Sequence, residues 1–421
     1  MTATSTPTSA PPLSSWARWS TVWLLCLGVI IAYIDRSQIA VAIAGKDFNN
    51  YFGLTPADRG LIGSVFAWTY AALQIPAGLM VDRWGVKKPY AVLFAAWCLV
   101  AAAMGRATTF WQLIGLRLLL GVGEAVVTPA SIRWIRFNVP ERLRGTALGI
   151  YMSGTKYGPG LGALLSTWLY TQYGWRTMFV ALGVGGLLWL VPWWWLVRDN
   201  DRELEQATTR GDAVPNLPFS EAWKTPLLWG ILVGTFCYNY FVFFSTTWLP
   251  SYFAQHRKLS LQDSGFFSFV SFSGMATIAI AAGFAADMLI ARGWNAVKVR
   301  KGFTIAGFLI ASTELLGALS DSHTVALTLA IVSLGGLGLA TANYWALTQT
   351  MLPGVAVGSI AGAQNTASNL AAAVAPLLTG WLIQWTGNFL APMYAICGFL
   401  VLGLTMYLFV VQEKYAPKPR G

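Results

Sequence analysis

The chain has 421 residues, 56% hydrophobic and 11% charged, with a mean hydropathy of +0.55 and a formal net charge of +11. A soluble domain carries about 25% charged residues, so the composition excludes an ordinary soluble protein. Its 21 Trp and 42 Gly suit a membrane chain, where aromatic belts and close-packed small residues are common.

The opening residues, "MTATSTPTSAPPLSS", are polar and Pro-rich, so residues 1–20 are expected to form a disordered N-tail. No basic region precedes the first apolar run and no small-residue cleavage site follows it, which argues against a signal peptide. Apolar segments of about 20 residues then recur, and each reads as a spanning helix. Twelve are expected: 21–43, 59–80, 89–105, 110–132, 143–170, 175–197, 223–253, 264–288, 299–319, 324–350, 356–385 and 389–411. The long polar stretch 198–222 separates a first six-helix bundle (21–197) from a second (223–411), and 412–421 is a short C-tail. The fold class is therefore an all-α membrane protein of two six-helix bundles.

Lys and Arg set the orientation. With the N-terminus in the cytoplasm, 19 of the 28 fall in cytoplasmic segments, six in outer segments, and three (Arg36, Arg117, Lys156) inside helices. The basic excess is thus a topology signal and not a nucleic-acid patch, and both termini are expected to be cytoplasmic. The four cysteines lie in separate apolar stretches, and the two histidines in expected loops. No metal site and no cofactor is expected.

Two echoes relate the halves. "GLMVDRWGVKK" after helix 2 returns as "GFAADMLIARGWNAVKVRK" after helix 8, with Gly78 to Gly283 and Asp82 to Asp287 equally spaced. "WLYTQYG" at the end of helix 5 returns as "WLIQWTG" at the end of helix 11. Repeated six-helix halves are a transporter architecture with the substrate between them. In the first motif Gly78 would let a neighbouring helix approach closely, and Asp82 and its copy Asp287 would accept from the N–H groups of a helix N-terminus. Gly85 belongs to the same pattern. Arg83, Lys87 and Lys88 would hold the turn at an anionic membrane face.

Charge inside the helices is concentrated in the first half: Asp35 and Arg36 in helix 1, Arg117 and Glu124 in helix 4, Lys156 in helix 5. Intramembrane charge is costly and marks function by default. At 1.5 Å per residue, Asp35 and Arg117 lie roughly 12 and 10 Å from the outer ends of their helices and can meet. Glu124 shares a face with Arg117 but sits deeper. The arginines are candidate ligands for an anion. Asp35 and Glu124 are candidate proton carriers, because burial and a neighbouring arginine pull a carboxyl's proton affinity in opposite directions. The competing reading is an ion-pair network that only pins helix 1 to helix 4. Lys156 can snorkel or pair with a carboxylate.

The second half offers amides and phenols instead: Tyr238, Asn239, Tyr344, Trp345 and Asn365. These suit hydroxyls and the face of a ring, or act as interhelical glue.

"YIDRSQIAVA", "FAWTYAALQIPAGLMVDRWG", "RLLLGVGEAVVTPA", "IYMSGTKYGPGLG" and "NLAAAVAPLLTGWLIQWTGNF" together resemble the major facilitator superfamily. More narrowly they resemble its anion:cation symporters, which include galactonate, glucarate and hexuronate transporters. The resemblance implies the major facilitator fold, with its two bundles related by a pseudo-two-fold axis. It also implies proton coupling at Asp35 and Glu124 and cationic central sites at Arg36 and Arg117. Tyr70, Thr155, Trp345 and Asn365 match pocket-lining positions, and Tyr33 is added from helix 1. Thr155 stands where sugar-acid members carry glutamine, with Lys156 beside it, which leaves room for a dianionic or aromatic acid. The expected activity is import of a small organic anion with protons by alternating access. A proton-independent uniporter, exchanger or exporter of aromatic or dicarboxylic acids is the alternative. An enzyme is not expected, since no nucleophile–base or metal constellation lies in the helices. The expected partners are the anion, protons and the bilayer of a bacterial inner membrane, the protein acting as a monomer.

Overall fold

The computed structural model describes residues 14–198, 223–352 and 357–416. Most of the expected N-tail, the linker from residue 199 on, and the last five residues of the C-tail lie outside the described residues. The described chain is helical throughout. The helices of the first half are α1 (Ser15–Ala44), α2 (Lys46–Phe52), α3 (Pro56–Trp84), α4 (Lys87–Met104), α5 (Phe110–Glu124), α6 (Val127–Asn138), α7 (Glu141–Gly186) and α8 (Leu190–Leu196). Those of the second are α9 (Pro226–Ser251), α10 (Leu261–Ala291), α11 (Ala296–Ala311), α12 (Glu314–Leu319), α13 (His323–Met351), α14 (Val357–Thr386) and α15 (Leu390–Thr405).

Local chemistry sets the starts. Thr55 and Thr109 close capping boxes with Asp58 and Gln112, and Thr225, Ser260, Asn295 and Ser322 cap α9, α10, α11 and α13. Ser14 accepts from the Ala17 N–H at 3.2 Å, so α1 begins inside the stretch expected to be disordered. A cap and the interfacial Trp16 extend the helix past its apolar run.

Eleven continuous stretches among the described residues are long and apolar enough to cross a membrane. One of them, Leu143–Leu196, has 54 residues. Its main helix α7 would reach about 69 Å unbroken, roughly twice a bilayer's hydrocarbon thickness. It breaks at Gly174 (φ 81, ψ 164), a backbone region open to glycine, and so makes two crossings. Large apolar side chains such as Trp195, Ile75, Leu188 and Phe284 point outward, as lipid-facing residues do.

Buried apolar side chains form two separate cores, one from Val22 to Val197 and one from Leu227 to Val411. The sequence echoes reappear in the geometry. Gly174 and Gly387, which close the two W-x5-G copies, both take positive φ. The halves meet along two equivalent seams, α3 against α14 and α7 against α10. Exchanging the halves carries one seam into the other, because α3 and α10 each precede the repeated charged turn.

The turn itself corrects part of the expectation. A Cβ on Gly78 would lie 3.8 Å from Pro129, an ordinary contact, so no close crossing depends on Gly78. Asp82 does not cap a helix N-terminus but accepts from Arg133 Nη1 at 2.5 Å, and Asp287 from Arg300 Nη2 at 3.1 Å. A guanidinium outcompetes backbone N–H groups for an exposed carboxylate through its full charge. Gly85 takes φ 81 and closes α3 by donating its N–H to Val81 O. Arg83 is exposed in the last turn of α3, and Lys87 Nζ lies 5.1 Å from the Trp194 ring. The bundle end holding this turn is termed the basic end below.

Candidate functional site

A cavity lies between the halves, lined from the first by Tyr33, Arg36, Phe66, Tyr70 and Arg117, and from the second by residues of α9 and α14 including Asn365. The opposite end of the bundle is shut. Gln255 donates to Ile43 O and Ala44 O and accepts from Arg59 Nη1 at 2.7 Å. Ser64 Oγ donates to Ala373 O, and Gln384 accepts from the Ala57 N–H at 3.1 Å. A Cβ on Gly60 would stand 2.6 Å from Pro376 O, so the α3–α14 crossing needs glycine there.

The first wall is positioned by a run of small residues. Gly154, Gly158 and Gly162 of α7 would each, with a Cβ, strike α1, at Val29, Tyr33 and Ser37 respectively. Both sets recur every four residues, so the ridge of α1 sits in a groove of α7. This locks the azimuth of α1. Tyr33 and Arg36 then face the cavity, while Asp35, about 100° round the helix from Arg36, faces away.

Arg36 Nε donates to Glu124 Oε2 at 2.7 Å, with Glu124 fully buried and Arg36 partly open to the cavity. The Arg36 guanidinium lies 4.6–4.8 Å from the ring centres of Tyr33, Phe66 and Tyr70, a cation–π box. Phe66 also lies 5.1 Å from the guanidinium of Arg117. One ring thus contacts both arginines. Arg117 Nε donates to Ile62 O at 3.1 Å, and its Nη1 is buried without a protein partner. A buried cationic donor without an acceptor favours an anion nearby.

Other expectations are not met. Asp35 does not meet Arg117. It accepts from Gln38 Nε2 at 2.6 Å and from Trp97 Nε1 at 3.2 Å, fully buried against α4. Equal depth was the wrong test, because contact also needs matching azimuth. Six of the eleven residues expected to contact substrate, Thr155, Lys156, Tyr238, Asn239, Tyr344 and Trp345, do not line this cavity. Thr155 Oγ1 donates to Met152 O, and Lys156 forms no ion pair among the described residues. Tyr238 bonds Thr341 at 2.6 Å and packs its ring at a tilt against Tyr344, Asn239 donates to Thr235 O, and Trp345 adjoins Tyr344. These groups spend their polarity within the second bundle. Asn365 donates to Gln74 Oε1 at 2.5 Å across the seam.

Sequence reasoning missed Phe66, Gln38, Trp97 and Gln74. Phe66 and Gln38 carried a signal, at i−4 from Tyr70 and i+3 from Asp35, one turn away on the same face. Gln74, at i+4 from Tyr70, carried the same signal, whereas Trp97 carried none, since its partner comes from another helix.

The family model described as Major Facilitator Superfamily matches residues 25–376. The chain is 29% identical over 417 residues to a D-galactonate transporter of Escherichia coli, covering 94% of this chain and 96% of that one. It is 28% identical over 414 residues to a hexuronate transporter of Bacillus subtilis, covering 95% and 96%. Among solved structures, a bacterial homolog of the human lysosomal transporter Spinster, in an inward-facing and occupied conformation, superposes with a TM-score of 0.79 at 19% identity, covering 97% of this chain and all of that one. At that identity the likeness speaks for the fold alone.

Proposed function

The chain belongs to the Major Facilitator Superfamily, and from that premise we propose that it is a secondary active transporter that imports a small organic anion together with protons by alternating access. The observation that carries this reading is the pair of arginines at the cavity wall. Arg36 is held by a buried carboxylate, and Arg117 keeps an unmet donor. Protonating Glu124 would weaken its hold on Arg36 and free the guanidinium for a substrate carboxylate. Proton and anion then enter together, so less net charge crosses. The relatives named for galactonate and hexuronate transport support an organic acid as substrate class. Asp35, shielded by Trp97 and Gln38, is the second proton carrier in this reading. The excess of Lys and Arg at the basic end supports a cytoplasmic placement of both termini in a bacterial inner membrane. Both cavity walls come from one chain, which supports a monomer as the working unit.

The alternative is uniport, exchange or export of aromatic or dicarboxylic acids without protons. Lys156, which forms no ion pair among the described residues and lies one turn from the cavity-lining Pro159, favours a second anionic group on the substrate.

The test is proton flux into proteoliposomes loaded with a pH-sensitive dye and challenged with galactonate, glucarate, glucuronate, tartrate, phthalate, 4-hydroxybenzoate and, as control, glucose. Acidification with one carboxylate, abolished by Glu124→Gln, is expected. Labelled acid equilibrating with no proton movement would overturn coupling and leave the alternative.

A further inference from the structure

Arg36 closes the cavity side of Glu124. Its Nε takes Oε2, and the rings of Tyr33, Phe66 and Tyr70 surround the guanidinium. The other oxygen, Oε1, is buried with no protein partner. With Arg36 in this place, that oxygen is separated from the cavity.

Hydroxyls lie in the other direction. Tyr70, beside Arg36, places its hydroxyl 3.5 Å from Thr128 Oγ1. Thr128 and Ser131 follow Glu124 by four and seven residues across the α5–α6 junction, where Ala125 and Val126 keep helical backbone angles, so they continue its face toward the basic end. Tyr151 faces both of them, and Tyr90 faces Ser131. The hydroxyls of Tyr151 and Tyr90 are buried beside these oxygens but meet none of them in full hydrogen-bonding geometry. Tyr90 sits among Phe94, Trp189 and Trp193, in the first turn of α4 next to the basic end. A buried tyrosine hydroxyl normally finds a partner, and a water between these oxygens would supply it.

We propose that Thr128, Ser131, Tyr151 and Tyr90, joined by water, form a proton path from Glu124 to the basic end that runs inside the first bundle, apart from the substrate cavity. The path rests on the proton-coupled reading above. A proton leaves Glu124 Oε1 for the nearest hydroxyl or water oxygen, and that oxygen releases its own proton onward. Each oxygen ends neutral, the last proton joins water at the basic end, and Glu124 remains as a carboxylate paired with Arg36. These four are positioning groups for proton transfer and do not touch substrate.

The experiment uses the full chain in proteoliposomes and the panel acid that the wild type takes up with protons. Two rates are read: proton-driven net uptake, which requires Glu124 to release its proton in each cycle, and exchange of labelled for unlabelled acid, which does not. Tyr151→Phe and Thr128→Val are expected to slow net uptake by at least about tenfold, the low side of what positioned proton-transfer groups supply, with exchange within about twofold of wild type. Tyr407→Phe removes a buried, equally unpartnered hydroxyl of the second bundle and is expected to change neither rate. Equal loss of uptake and exchange would make the hydroxyls structural, and no loss in either variant would remove the path. A wild type that moves the acid with no acidification at all would instead remove the coupling reading itself.

Discussion

At the residue scale, neighbouring positions have opposite fates. Arg36 faces the cavity, while Asp35, adjacent in sequence, faces Trp97. Removing one partner of a buried ion pair costs about 3–5 kcal/mol, because the remaining charge is left uncompensated. Arg36→Ala is therefore expected to lower the midpoint of thermal unfolding in detergent markedly. Arg36→Met combined with Glu124→Leu is expected to recover most of that loss while remaining inactive, and a double-mutant cycle on unfolding midpoints measures the coupling. Recovery of less than half would mean that the arginine stabilises through its aromatic box more than through Glu124. The glycines of the charged turn make a second contrast. Gly85 at φ 81 and ψ 175 should cost roughly 1–3 kcal/mol on conversion to Ala, whereas Gly78→Ala, whose side chain would make an ordinary contact with Pro129, should be close to neutral. Unfolding midpoints of the two variants, compared side by side, decide it.

At the element scale, contact between the halves depends on how closely α3 and α14 cross. A side chain on Gly60 would meet the Pro376 carbonyl, which belongs to another helix and cannot turn aside as a flexible side chain can. Gly60→Val is therefore expected to hold the opposite end open. Spin labels at the exposed positions Tyr51 and Trp385 should then report a longer distance than in the parent protein, and an unchanged distance would show that the helices slide to accommodate the side chain. The ridge of α1 in the glycine groove of α7 is a different kind of contact. It lies within one bundle and aims Arg36, so it should not change as the halves rock.

At the scale of the whole molecule, the closed end is held by few polar contacts, and Gln255 makes three of them. A net hydrogen bond is worth about 0.5–1.5 kcal/mol. Gln255→Ala should thus shift the balance between the two access states by roughly 1.5–4.5 kcal/mol toward opening at that end. Accessibility of an introduced cysteine at Ser64 to a membrane-impermeant thiol reagent should rise, and unchanged labelling would assign closure to the glycine crossing alone. At the basic end the Asp82–Arg133 pair is largely exposed at the carboxylate and is worth little by itself, about 0–1 kcal/mol.

How much of this was legible in the chain follows from the range of each interaction. Twelve crossings, the repeat and the division into halves were readable, because hydrophobic length, turn glycines and basic flanks act through contacts with solvent and lipid that need no partner helix. Even the break at Gly174 was readable, from the apolar length on either side of it. The residue types of the site were readable for the same reason, since charge within an apolar run stands out against its neighbours. Partner choice was not. Whether Arg36 takes Glu124, whether Asp35 turns to Trp97, and whether Tyr238 and Lys156 reach the cavity depend on the rotation of each helix about its axis. That rotation is decided by side-chain interlocking between helices distant in sequence, as where Gly154, Gly158 and Gly162 receive α1. Composition and spacing therefore determined which chemistry this protein carries, and only the packing of helix on helix decided which of those groups share a site.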